Sequence, residues 1–392
     1  MKFAPMSVLA LVLAASCPSD AWSYSLSPCY RVLSYQGGVP REEPVRKRGS
    51  LCAAVMKPEE RSAVHEHMSA AALREYRAGP GAGALRDGWK WQYMVEDPWT
   101  KQGGPHQSLA IVFGTWWNDD PLMRTLGQSV IFMKGGLKAH AVLSKNWPKG
   151  DDGRTDCGIH LDCASHLGKL QHLHFMTDDP AAEQAGQAAR VDATVEKALG
   201  WMAFAYEVAT GELAPDAPLN AALEARVGLP SIALNHGVQP ANAKIRTLFA
   251  RQGQDLATRN ARTPDVALGS MLHILQDSFS PAHTCRVEAE VGGKRMALLR
   301  AVENYGPQYK KVHTALDQHP RWMLEYLKLG QHRYDNDPVK VGAWLIDAVD
   351  RKLPWQQVEA QLRTSIFATA PASDSAEAVC IERNGARLRP DA

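Results

Sequence analysis

The run Ala267-Leu-Gly-Ser-Met-Leu-His273-Ile-Leu-Gln-Asp277-Ser-Phe-Ser-Pro281-Ala-His283-Thr284 constrains this chain more than any other stretch. It predicts a helix passing into a proline-directed bend, with His273 and Asp277 four residues apart and so on one helical face. Leu268, Leu272, Leu275 and Phe279 recur at the helical period on a separate stripe. A helix with ionisable groups on one face and leucines on another is expected to be buried on both sides.

A buried imidazole beside a buried carboxylate is, taken alone, most simply a satisfied core pair. Here the pair has company. Thirty residues past His283 the chain repeats the spacing as His313-Thr-Ala-Leu-Asp317. His273, Asp277, His283, His313 and Asp317 together offer nitrogen and oxygen donors of the kind zinc takes readily.

On these residues the chain resembles the zinc-dependent phospholipase C and fungal single-strand nuclease superfamily, whose pattern is His-x3-Asp-x5-His followed by His-x3-Asp/Glu. The resemblance implies an all-α fold, a multi-helix bundle of the zinc phospholipase C / single-strand nuclease type, in an exported enzyme holding three Zn2+ ions. The wording Gln276-Asp-Ser-Phe-Ser-Pro-Ala-His-Thr284 is closer to the bacterial phospholipase C branch. The nucleases usually read Gly-Asp and Gln-Pro-Leu-His in those places.

Length and composition leave room for this. A chain of 392 residues, 45% hydrophobic, buries a large core, and a net charge of +2 gives no basic surface of the kind nucleic-acid proteins present. Beyond the start, no apolar run is long enough to span a bilayer. Lys2 and the run Val8 to Ala15 read as an export signal over residues 1–21, with cleavage after Ala21 making Trp22 the first mature residue. The alternative is a lipoprotein signature, Ala14-Ala-Ser-Cys17, which would tether the protein to a membrane. Without Cys17 six of the seven cysteines remain, which an exported protein can pair. Their order in the sequence favours Cys29 with Cys52, Cys157 with Cys163, and Cys285 with Cys380.

Residues 22–57 read as an irregular arm, 58–369 as one helical zinc hydrolase domain, and 370–392 as a tail pinned by Cys380. No strand ladder is evident. Helical patterns cover Pro58 to Arg77, Ala181 to Thr210, Trp322 to Lys328 and Val339 to Val349. The metal helix is entered through Thr263-Pro264-Asp265, with proline in its first turn. His160 and His166 read as polar loop residues.

The remaining site residues come from the resemblance. Family members place a histidine in the form His-x-x-Ile-Thr-x-x-Ala, which His65 fits better than His67. Trp-x-Asp matches Trp117-Asn-Asp119, and Leu-His-Phe matches Leu173-His174-Phe175, leaving His172 a bystander. By carry-over the first zinc takes Asp119, His174, His273 and Asp277, the second His283, His313 and Asp317, and the third Trp22, His65 and the other oxygen of Asp277. Such mixed donor sets leave positions open for water, and paired ions would acidify it while Asp119 serves as base. The implied reaction releases diacylglycerol and a phosphorylated headgroup from a phospholipid at a membrane surface. A single-strand nuclease on the same site is the alternative. The aromatic cage of choline-preferring members is replaced by Asp120 and Gln171, which argues against strict choline selectivity.

Overall fold

A computed structural model describes residues 30–36, 39–44, 64–80, 108–119, 147–151, 155–157, 161–177, 186–220, 226–227, 243–249, 255–305, 310–371 and 380–382. Residues 1–21, read as an export signal, and Trp22, Cys29, Cys52, Asp120 and His160 lie outside them. Among the described residues the chain is mostly helical, with two small two-stranded sheets.

The central element is the helix of the His/Asp spacing, α6 (Leu256–Asp277). It starts earlier than the Thr-Pro-Asp signal predicts. Asp255 is the cap, its side chain accepting from the Thr258 amide at 2.9 Å, and Pro264 sits inside the helix. Thr-Pro-Asp is a sound start signal, but packing carries the helix through it. From Val266 to Asp277 every residue is buried, so the helix has no solvent face over its last three turns.

Four helices introduce its surroundings: α1 (Val64–Ala78), α2 (Ser108–Gly114), α3 (Leu161–His166) and α4 (Gln187–Thr210). Helix α2 crosses α6 backbone to backbone at Gly114 and Gly269. A Cβ on Gly269 would stand 2.3 Å from the Ile111 carbonyl oxygen, so nothing larger than glycine allows the crossing. Helix α4 packs along α6 and meets strand β4 (Lys294–Val302). Trp201 of α4 stacks on Trp117 with ring centroids 4.9 Å apart, and Phe249 of α5 (Ile245–Phe249) packs against both.

Two hairpins correct the expectation of no strands. One pairs β1 (Tyr30–Gln36) with β2 (Val39–Pro44) inside the arm read as irregular. The other pairs β3 (Thr284–Val291) antiparallel with β4, turning at Gly292 and Gly293. Both glycines have positive φ, 58° and 75°, as a two-residue primed turn requires. The signal was present as Gly-Gly between runs rich in alternating residues, and the strong helical pattern on either side masked it.

Beyond the hairpin follow α7 (Lys310–Leu316), α8 (Arg321–Leu329), α9 (Pro338–Asp350) and α10 (Trp355–Thr364). Helix α9 lies on α1, where Gly342 faces Ala72. Cys157 bonds Cys163, and Cys285 bonds Cys380, tying the tail to the start of β3 as expected.

Candidate metal centre

Helix α6 delivers His273 and Asp277 to one point. His273 Nε2 lies 2.8 Å from Asp277 Oδ2, and His174 Nδ1 lies 3.0 Å from both of those atoms. The other oxygen, Oδ1, faces Nε2 of His65 on α1 at 3.4 Å. Asp277 is therefore divided between two groups of imidazoles.

The tautomers follow from the outer partners. His273 Nδ1 donates to the Thr115 carbonyl oxygen at 2.6 Å, and a carbonyl only accepts. His65 Nδ1 donates to Gln276 Oε1 at 2.6 Å, while Gln276 Nε2 donates to Ser69 Oγ at 2.7 Å. In both rings the Nε2 lone pair is thereby turned toward Asp277. Burial, reinforced by His65, holds His273 well below the ordinary imidazole pKa, and burial with His166 does the same for His174. A neutral imidazole such as His273, with the lone pair of Nε2 aimed at a carboxylate, is repelled by it unless a cation lies between them. This is the outer-shell orientation that metal-ligating histidines have.

Asp119 enters from the turn after α2, and each residue of that turn has an anchor. Trp116 Nε1 donates to Glu66 Oε1 at 2.9 Å, and Trp117 Nε1 to the Leu248 carbonyl at 2.9 Å. Asn118 Nδ2 donates to the Leu173 carbonyl at 2.7 Å, and its Oδ1 accepts from Ser270 Oγ at 2.6 Å. One amide thus fastens the Asp119 turn, α6 and the single 3-10 turn Gln171–His174 that presents His174. Asp119 Oδ1 ends 3.9 Å from His174 Nδ1 and Oδ2 ends 3.8 Å from His273 Nδ1.

The second group forms where the chain leaves and re-enters the core. His283 closes the bend after α6, the β3/β4 hairpin carries the chain out and back, and the Glu303 amide donates to the His283 carbonyl at 2.8 Å. His313 and Asp317 then come from α7 and the turn after it, with His313 Nε2 2.8 Å and His283 Nε2 3.7 Å from the Asp317 carboxylate. Ser280 Oγ donates to Asp317 Oδ1 at 2.6 Å. Burial pushes His283 down to about 3. Burial alone would raise the Asp317 carboxyl, but His313, His283 and Ser280 outweigh it and hold it below the usual value.

Three groups can therefore hold a metal ion: His65 with His273 and Asp277; Asp119 with His174 and His273; His283 with His313 and Asp317. Eight of the nine expected site residues come together in them, and the ninth, Trp22, lies outside the described residues. All eight are buried. His67, the rejected alternative to His65, points elsewhere and pairs with His319 at 2.8 Å. His172 is buried but belongs to none of the groups.

His166 corrects the reading of a polar loop residue. It ends α3, is 3% exposed, and turns Nε2 to within 3.8 Å of Asp119 Oδ1. Its neighbours in sequence gave no periodic signal, because α3 is a short helix held by the Cys157 to Cys163 bond. Tyr305 was also missed. Its ring stands edge-on to His313 at 5.1 Å and to His166 at 6.3 Å, and its amide donates to Gln171 Oε1 at 3.0 Å. It is half-buried where the rest of the centre is buried.

The chain matches no protein-family model, no curated protein and no solved structure.

Proposed function

We propose that this chain is an exported zinc-dependent phosphodiester hydrolase, a phospholipase C acting on glycerophospholipids. The observation that carries the reading is the donor set around Asp277: bare imidazole nitrogens of His65 and His273, oriented by Gln276 and Thr115, face opposite oxygens of one carboxylate. Zinc at about 2.0–2.1 Å from each donor needs neighbouring donors about 3.3 Å apart in a tetrahedron. The 3.4 Å between His65 and Asp277 matches that requirement, and the 2.8 and 3.0 Å separations from His273 and His174 need to open by about 0.3–0.5 Å to meet it. Among the described residues no cysteine joins the three groups, and a set of imidazoles and carboxylates is of the open, catalytic kind rather than a closed structural site.

When bound, zinc ions would supply an acidified water and positive charge against the phosphate. The protein's own residues do the rest. Asp277 neutralises the two halves of the centre at once. Asp119, fixed by the Asn118 anchor, is the base that orients the attacking water. His283, His313 and Asp317 hold the far side, where the phosphate oxygens would lie. Tyr305 supplies an aromatic edge at the partly open side, adjacent to where a headgroup would enter.

The phospholipase branch is supported by Gln276, the position at which the nucleases usually carry glycine. Here its amide orients His65, a task glycine has no atoms for. Two disulfides fit an oxidising compartment, in keeping with export. Among the described residues no helix is long and apolar enough to cross a membrane.

The test is hydrolysis of a mixed phospholipid panel and of single-stranded nucleic acid by the purified protein, with chelator and then with added zinc. Chelator-sensitive, zinc-restored release of diacylglycerol is expected. Cleavage of nucleic acid alone would overturn the substrate while retaining the centre.

A further inference from the structure

The imidazoles around Asp277 differ in what holds their outer nitrogen. His65 and His273 each donate to an oxygen that can only accept, so their Nε2 atoms are locked as lone pairs. His166 is held differently. Its Nδ1 lies 3.0 Å from Ser165 Oγ, a hydroxyl able to donate as well as accept. Across the ring, Nε2 points at Asp119 Oδ1 from 3.8 Å. A lone pair there would oppose the carboxylate oxygen, whereas an N–H would be attracted to it. The consistent arrangement has Ser165 donating to Nδ1 and His166 carrying its proton on Nε2.

The ring has little freedom to do otherwise. It lies against His174 with centroids 4.6 Å apart, and Tyr305 stands edge-on to it at 6.3 Å. Cys163, three residues earlier, is bonded to Cys157 and accepts from the amides of Leu167 and Gly168 at 2.7 and 3.1 Å. Gly168 itself fits against Cys157 Sγ, where a Cβ would come to 2.9 Å. At 3.8 Å the gap to Asp119 exceeds a hydrogen bond by roughly half an ångström and is too small for an intervening water.

We propose that His166 is a positioning residue of the centre, a Ser165-anchored imidazole whose Nε2–H fixes the carboxylate of Asp119 toward the His174 and His273 nitrogens. This rests on the metal-centre reading above and adds to it a residue in no group of donors. Ligating carboxylates need such outer partners, and their removal typically weakens metal binding about 10–100-fold.

Zinc affinity of the demetallated full-length protein, measured against a chromophoric chelator, tests this together with the visible absorption of the Co2+ form. In His166→Leu, one equivalent of metal is expected to weaken about 10–100-fold, with a changed Co2+ spectrum and the other equivalents unaltered. His166→Gln places an amide N–H near the lost Nε2–H and should recover most of the affinity. Ser165→Ala, which keeps the ring, should show a loss of the same kind but smaller, and it carries the test if the leucine variant fails to fold. Unchanged affinity and spectrum in His166→Leu, or in Ser165→Ala where that variant stands in, would overturn the assignment, as would a glutamine variant no better than leucine. Absence of any tight zinc in the unsubstituted protein would instead bring down the centre itself, and this inference with it.

Discussion

Gln276 and His65 are joined by a 2.6 Å hydrogen bond between helices α6 and α1, and Gln276 is the immediate neighbour of Asp277, whose Oδ1 faces the opposite nitrogen of the same imidazole. One dipeptide therefore sets both the tautomer and the counter-charge of His65. Gln276→Leu keeps the volume and removes the acceptor. It is expected to weaken the metal equivalent nearest His65 about 10–100-fold while leaving the His283 group intact. Competitive zinc titration checks this, and equal affinities in the variant and the parent would refute the orienting role.

Asp277 is shared, so its loss should not be confined to one ion. Its Oδ2 serves His273 and His174 and its Oδ1 serves His65. Asp277→Asn preserves the shape but removes the charge facing four imidazoles, since His283 Nδ1 also lies 3.7 Å from Oδ2. At least two metal equivalents should be lost or weakened, and turnover should fall at least about 100-fold. Metal content by elemental analysis separates this from Gln276→Leu, which should affect one. A variant holding its full complement would show that Asp277 is a core acid only.

What the sequence revealed divides by range. The geometry of His273, Asp277 and His283 was legible because a helix and a tight bend fix it locally, and His313 with Asp317 repeats the same device. His65, Asp119 and His174 carried no local sign of meeting α6 and were reached only through resemblance. Their convergence depends on the Gly114/Gly269 crossing and on Asn118, which is hydrogen-bonded to the Leu173 carbonyl and to both the hydroxyl and the carbonyl of Ser270. Neither is visible without the tertiary contact. His166 and the β3/β4 hairpin differ from the sequence expectation for opposite reasons. The histidine lies in a segment with no periodicity, whereas the hairpin's Gly292-Gly293 turn signal is short beside the strong helical patterns that flank it.

The bend that presents His283 depends on a buried cation. Arg286 donates from Nε to the Ser278 carbonyl at 2.6 Å, from Nη1 to the Ala297 carbonyl at 2.6 Å, and from Nη2 to the Ile366 carbonyl at 2.8 Å. Its guanidinium also lies over the Phe279 ring at 3.9 Å. Arg286→Met fills the space yet leaves those carbonyls with fewer donors, at a cost of about 2–4 kcal/mol. The urea midpoint should drop accordingly, and zinc affinity at the His283 group should drop with it. A variant of parental stability would mean that the carbonyls find water.

The bond from Cys285 to Cys380 closes a loop of 95 residues. In the chain-entropy account a loop of that size stabilises by about 4–5 kcal/mol, against roughly 2 kcal/mol for the short Cys157 to Cys163 loop. Cys285→Ser with Cys380→Ser should therefore lower thermal stability about twice as much as Cys157→Ser with Cys163→Ser. The second pair should act on the centre instead, by loosening the helix that holds His166. Differential scanning calorimetry ranks the two, and equal losses of stability would count against the loop-length argument.

His332 gives the fold its own pH dependence, away from the metal groups. Its Nδ1 lies 2.6 Å from Asp337 Oδ2 and its Nε2 lies 2.8 Å from Glu75 Oε1. Burial works against the charge, but the two carboxylates outweigh it and raise the imidazolium to about 10. In the unfolded chain the ring titrates near 6.5. Below that pH both states hold the proton, and the contact contributes in full. As pH rises from about 6.5 toward 10 only the folded state holds it, so the contribution falls steadily and is gone above 10. The integrated loss has a ceiling on the order of 5 kcal/mol, reduced in practice by the coupling to both acids. Urea unfolding at pH 6, 8 and 9.5 should show the parent losing stability with pH faster than His332→Gln, with the two curves converging at the alkaline end. Parallel curves would mean that His332 carries no extra proton in the folded state.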